Sequence, residues 1–144
     1  MQQAAKAAAL GKRRSPMQLG LAAWHRYMRS NDPELLAELV ADDAVFYSPV
    51  VHAAQTGKAK VLTYLLAAGK VLGNDSFRYV RELVDGPEAM LEFEVEIDSI
   101  LINGIDLIRF DLEGRIVDFK VMVRPLKAIN KLWELMAEQL DRPV

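Results

Sequence analysis

The chain has 144 residues, 51% of them apolar, with two histidines and no cysteine. That is enough apolar material for one real core, and it excludes disulfides, thiolate catalysis and cysteine-based metal sites. The formal net charge of −2 hides an asymmetry: Lys6, Lys12, Arg13 and Arg14 fall in an acid-free start, and the remaining 14 basic side chains face 20 acidic ones, an acidic body that argues against nucleic acid as the main partner.

Residues 1–15 are Ala-rich and basic, but the apolar stretch Ala7-Ala8-Ala9-Leu10 is shorter than the core of a secretory signal. They read as a flexible basic extension ahead of a single domain over residues 16–144. Ser15-Pro16 supplies the cap and first turn of a helix running to Arg29. Its apolar positions Leu19, Ala22, Ala23 and Tyr27 recur at helical spacing, widened by Trp24 and Met28. Asp32 and Pro33 have the character of an N-cap and first residue for a short second helix through Val40. Ala44 to Ser48 is β-rich, Pro49 stops it, and a loop through Gly57 leads to a third helix over Lys58 to Leu72.

After the turn Gly73-Asn74-Asp75 the pattern changes to period two. Strands are predicted from Phe77 to Leu83, Met90 to Asp98, Ile105 to Leu112 and Arg115 to Val123. In the second, Leu91, Phe93, Val95 and Ile97 point one way and Glu92, Glu94, Glu96 and Asp98 the other, as in a half-buried antiparallel strand. Those outward glutamates are expected to face Lys120 and Arg124 across neighbouring strands, or to form a dimer contact. Pro125 opens a closing helix through Leu140, with Leu126, Ile129, Leu132, Trp133, Met136 and Leu140 on its apolar side.

Helices followed by a meander make an α+β protein, with the helices gathered in the concave face of a curved, mainly antiparallel sheet shaped as a cone-like barrel. Strand parity gives the inner lining as Phe93, Val95 and Ile97, then Asp106, Ile108 and Phe110, then Phe119, Val121 and Val123. Eight of these nine are apolar, and the ninth is Asp106. Desolvation raises the pKa of such a carboxyl and suits it to donate a proton to a small hydrophobic ligand. Neither His25 nor His52 has a second ligand at metal-binding spacing, so no metal or other cofactor is expected. A reducing cytoplasm suits a chain without cysteine.

Several stretches carry a family resemblance: Asp32 to Gly57, with Ala41-Asp42-Asp43-Ala44-Val45 and Ser48-Pro49-Val50, then Ile105-Asp106, Arg109-Phe110-Asp111 and Gly114-Arg115-Ile116. Spread over most of residues 17–125, they resemble the SnoaL-like group of the nuclear transport factor 2-like superfamily, nearest to the ketosteroid isomerases. The resemblance implies three polar side chains. The isomerases' general base, an aspartate just before the proline that ends the first strand, is matched by Ser48. Their tyrosine on the first helix falls on Trp24, with Tyr27 one turn further along. Their second oxyanion donor, a protonated aspartic acid, falls on Asp106.

An unactivated serine hydroxyl cannot abstract an α-proton near neutral pH. His52, four residues past Ser48, is the group there whose ordinary pKa of ~6.5 lets it exchange protons at neutral pH. Asp106 and His52 are therefore the candidate catalytic residues. Trp24, Tyr27, Phe46 and Ser48 are the candidate ligand contacts from the first half of the chain, and Phe93, Val95, Ile108, Phe119 and Val121 those from the sheet. Two functions are expected: an isomerase, cyclase or lyase acting on a carbonyl compound, or a non-catalytic ligand-binding or dimerisation module with a vestigial pocket. The resemblance also implies a homodimer through the outer sheet face. Neither nucleic acid nor membrane is an expected partner.

Overall fold

The computed structural model describes residues 15–141, so the extension read into residues 1–15 lies, apart from Ser15, outside the described residues. Helix α1 runs over Pro16–Ser30 and starts with a capping box. Ser15 Oγ accepts from the Gln18 amide at 3.2 Å, and Gln18 Oε1 accepts from the Ser15 amide at 2.8 Å, so two of the orphan donors of the first turn are satisfied. Asp32 caps α2 (Pro33–Leu39) through the Glu34 amide. Val40, expected as the last residue of that helix, has extended backbone and begins β1, Val40–Tyr47. Pairing with Ile116 of the last strand, together with β-branching, outweighs the helical pattern there.

The loop expected between Pro49 and Gly57 contains a two-residue strand, β2 (Gln55–Thr56), paired with Val45 and Phe46. Helix α3 (Lys58–Leu72) follows, and then β3 (Arg78–Asp85), β4 (Glu88–Ile97), β5 (Ile100–Phe110), β6 (Ile116–Arg124) and α4 (Leu126–Leu140). The six strands form one open curved sheet in the order β2-β1-β6-β5-β4-β3; β1 runs parallel to β6 and the other pairings are antiparallel.

Strand β5 begins five residues earlier than the predicted start at Ile105. Asp98 and Ser99, both left-handed (φ 51° and 63°), close a two-residue hairpin directly after β4. The ladder also runs through Gly104 without interruption. The Phe93 ring takes the place of the missing side chain: a Cβ there would lie 2.5 Å from Phe93 Cζ. The predicted strand starts just after that glycine, whereas the neighbouring strand fills its gap and the ladder continues through it.

The inner face carries the core. Phe46, Phe93 and Phe119 are fully buried, each contributing roughly 1.5–3 kcal/mol relative to an exposed ring. Helices α1 and α3 pack onto this face: Trp24 lies 5.0 Å from Phe119, and Tyr64 lies 5.5 Å from Phe46, measured between ring centroids. Helix α4 buries Ala128, Leu132 and Met136, and Lys131 ties it to the β4–β5 turn through Asp98 at 2.7 Å. Leu126 and Trp133, expected on its buried side, are 71% and 61% exposed. A helix packed on one side of the sheet buries a narrower stripe than its apolar pattern offers.

On the outer face Arg78 pairs with Glu94, Arg81 with Glu92 and Arg109 with Glu88. Lys120 and Arg124 cannot reach those glutamates as neighbours, because β5 lies between β4 and β6. Lys120 instead places its ammonium 4.9 Å above the Tyr47 ring.

Candidate functional site

Asp106 sits in the middle of β5, directly between Leu91 of β4 and Val121 of β6. It is 7% exposed, the single buried charged or polar side chain among the described residues. Its Oδ2 accepts a hydrogen bond from the Tyr79 hydroxyl at 2.6 Å, and the Tyr79 oxygen accepts one from Trp24 Nε1 at 3.1 Å. An indole nitrogen can only donate, so Tyr79 must accept from Trp24, and its own proton goes to Asp106. The relay thus points from helix α1 through β3 to the carboxyl. Behind it His25 lies edge-on to Tyr79, and its Nε2 is 2.5 Å from Glu82 Oε1.

This polarity decides where a proton on Asp106 would sit. Oδ2 is occupied as an acceptor, which leaves Oδ1. No described residue bonds Oδ1, yet among the described residues no fully buried side-chain oxygen or nitrogen lacks a partner, so Oδ1 must open onto free space. Burial among apolar neighbours pushes the Asp106 pKa up to about 7, partly opposed by the hydrogen bond from Tyr79. Burial, and then the neighbouring carboxylate, hold the Tyr79 hydroxyl well above the usual phenol range.

The free space is a cavity of about 280 Å³ between the sheet, α1, α3 and α4, and Asp106 is part of its wall. Trp24, Tyr27, Phe46 and Ser48 line it, as do Phe93, Phe119 and Val121. Tyr27 is buried with its hydroxyl near Gly69 and without a hydrogen-bond partner among the described residues, so that hydroxyl also opens to the cavity. Ser48 Oγ accepts from the Val50 amide at 3.1 Å, which leaves its proton free to donate. Val95 and Ile108 are buried in the core without reaching the cavity wall. His52 is exposed in the β1–β2 loop and does not line the cavity, so the structure does not bring it together with Asp106.

Tyr79 escaped the sequence reading, which names Trp24 and Tyr27 as the candidate ligand contacts from the first helix. The available signal was the alternation Phe77-Arg78-Tyr79, which puts both rings on the inner face opposite Phe93. A bulge at Val80 then shifts the parity of the strand and hides it. Leu132 and Met136 of α4 and the α3–β3 loop also reach the cavity, a closure that no local pattern announces. Among the described residues no three His, Asp or Glu side chains gather as a metal site would require.

Replacing Tyr79 by Phe tests the relay. The variant is expected to lose roughly 1–3 kcal/mol, because it strands both Trp24 Nε1 and Asp106 Oδ2. It should also titrate Asp106 at higher pH than the parent, since the one hydrogen bond that lowers its pKa is gone. NMR titration of the side-chain carboxyl carbon measures this. An unchanged or lower midpoint would remove Tyr79 from the site.

Residues 21–119 match the family model of the SnoaL-like domain. Among solved structures, the chain is similar to a steroid delta-isomerase from Pseudomonas aeruginosa, with 38% identity over 90% of this chain and 94% of that one and a TM-score of 0.83. It is also similar to an uncharacterized protein with a cystatin-like fold from Silicibacter pomeroyi DSS-3, with 30% identity over 83% and 84% and a TM-score of 0.76. An NTF2-like protein of unknown function from Mesorhizobium loti, 21% identical over 76% and 92% with a TM-score of 0.65, shares the fold. Comparison with curated proteins found no match.

Proposed function

The chain belongs to the SnoaL-like family, and on that footing we propose that its cavity binds a small apolar carbonyl compound and polarises the carbonyl oxygen through Asp106, in an isomerase- or lyase-type reaction. One observation carries the reading: a buried carboxyl whose unbonded Oδ1 opens into an apolar cavity while its Oδ2 is held by Tyr79. A protonated Oδ1 there is a donor without competing water, worth more to a developing negative charge than the same group in solvent. The likeness to a steroid delta-isomerase supports a fused-ring carbonyl as the ligand type.

Asp106 is expected to hold its proton below about pH 7, and Tyr27 in the cavity wall and Tyr79 behind Asp106 remain neutral well above that. A ligand that only accepts should therefore bind best in acid and weaken as the pH rises through that value. 2-Acetylnaphthalene is such a probe. Quenching of Trp24 emission, read in a Trp133→Phe background, is expected to report affinity falling roughly three- to tenfold between pH 5.5 and 8.5. The Asp106→Asn variant should show no such slope. A slope equal in parent and variant would refute the assignment.

The non-catalytic alternative has one observation in its favour. Ser48 stands where the resemblance places a base, and no imidazole lines the cavity. Exchange of the probe's methyl protons in deuterated buffer separates the two readings: accelerated exchange means enolisation, and binding without exchange means a ligand holder. The outer sheet face exposes Leu83, Leu101 and Met122 among its ion pairs, which supports assembly of two copies through it. No helix among the described residues is long and apolar enough to cross a membrane.

A further inference from the structure

The cavity has a second polar locus at its mouth. Asp106, Phe46, Phe93 and Phe119 are buried in its wall, whereas Asn31, Asn74 and Asp75 are exposed, so the opening lies between the end of α1 and the α3–β3 loop. The Asn74 side chain is fully engaged. Its Nδ2 donates to the Glu96 carbonyl at 2.9 Å, and its Oδ1 accepts from the Ser76 amide at 2.8 Å and from the Ser76 hydroxyl. These bonds fasten the loop to β4 and hold Asp75 at the rim. The Asp75 carboxylate itself has no hydrogen bond or ion pair with any described residue. Among the described residues no lysine, arginine or histidine lines the cavity, so neither of its carboxyls has a cation from them within the wall.

We propose that Asp75 selects the ligand by the group at its outer end: a hydroxyl or amine is accepted there and a carboxylate is refused. The inference rests on the carbonyl reading of Asp106, which fixes the inner end. An anion at this mouth would meet a carboxylate with no compensating cation among the described wall residues. A hydroxyl or ammonium would gain an acceptor that nothing else occupies. The occupant is therefore an amphipathic molecule with an acceptor oxygen inside, an apolar body against the aromatic wall and a donor outside, and fatty acids fall outside the class. The rim is solvated, which keeps the discrimination moderate.

The test uses 2-acetylnaphthalene and its 6-aminomethyl, 6-hydroxymethyl and 6-carboxymethyl derivatives, titrated at pH 6, where the amine is cationic and the acid anionic. With the parent protein the aminomethyl probe is expected to bind roughly three- to tenfold tighter than the carboxymethyl probe, with the hydroxymethyl probe between them. Asp75→Asn should bring the two charged probes to nearly equal affinity while leaving unsubstituted 2-acetylnaphthalene and the melting temperature unchanged. Equal binding of the charged probes by the parent, or a preference that survives Asp75→Asn, would overturn the proposal. If the unsubstituted probe fails to bind, or binds without dependence on Asp106, the carbonyl reading itself has failed.

Discussion

At pH 8.5 the Asp106→Asn variant is expected to be more stable than the parent, and near pH 4 the advantage is expected to vanish. The sign follows from where the carboxyl titrates. Its pKa rises from 3.8 to about 7 on folding, so the native state holds the proton more tightly than the unfolded chain. The stabilisation that this proton brings is complete below pH 4, declines as the pH rises through about 7, and is absent above that. Integrated over the window, ionisation of Asp106 costs the parent on the order of 4 kcal/mol. Asparagine keeps an oxygen for the Tyr79 hydroxyl and never ionises, so it escapes this cost.

Urea unfolding of both proteins at pH 4, 6 and 8.5 measures the difference directly, because the contributions of other titrating groups cancel between parent and variant. A difference that stays constant with pH would mean that the carboxyl is solvated in the native state. A carboxyl that destabilises the fold near neutral pH, on a cavity wall and with one oxygen unbonded, fits a group placed for binding or chemistry. A buried ion pair kept for structure would depend on pH in the opposite sense.

Gly20→Ala is expected to destabilise the protein by about 2 kcal/mol and to lower its melting temperature by roughly 6 °C. In an exposed helix the same change would be favourable by about 1 kcal/mol through helix propensity. Here α1 rests directly on the β5–β6 turn. A Cβ at Gly20 would lie 2.4 Å from the Gly114 carbonyl oxygen and 2.7 Å from a Phe110 ring carbon. The first contact is backbone in a tight turn, held by the Asp111 carboxylate accepting from the Glu113 and Arg115 amides, so it cannot yield as a flexible side chain would.

Helix α1 would have to lift, and with it Trp24, one turn further along and hydrogen-bonded to Tyr79. The variant should therefore also show red-shifted Trp24 emission, read in a Trp133→Phe background because Trp133 is solvent-exposed. A melting temperature equal to or above that of the parent would show that α1 slides freely over the turn. The site would then not depend on that contact.

The amino-acid sequence alone determined the elements whose signals are local. Ser15-Pro16 and Asp32-Pro33 mark helix starts because caps and first-turn prolines act within a few residues. The alternation of Leu91, Phe93 and Val95, and of Asp106, Ile108 and Phe110, gives inward faces because a strand repeats every two residues. That was sufficient for the α+β architecture and for the isolation of one carboxyl in an apolar row. Only the tertiary structure decided the partners of that carboxyl. Tyr79 reaches Asp106 across β4 from a strand whose parity is shifted by a bulge, and Trp24 reaches Tyr79 from a helix 55 residues earlier in the chain. It likewise left His52 on an exposed loop and brought Asp75 to the mouth. Caps and alternation are short-range effects that each segment carries with it, whereas a cavity is made where distant segments meet, and their meeting depends on packing that no single segment encodes.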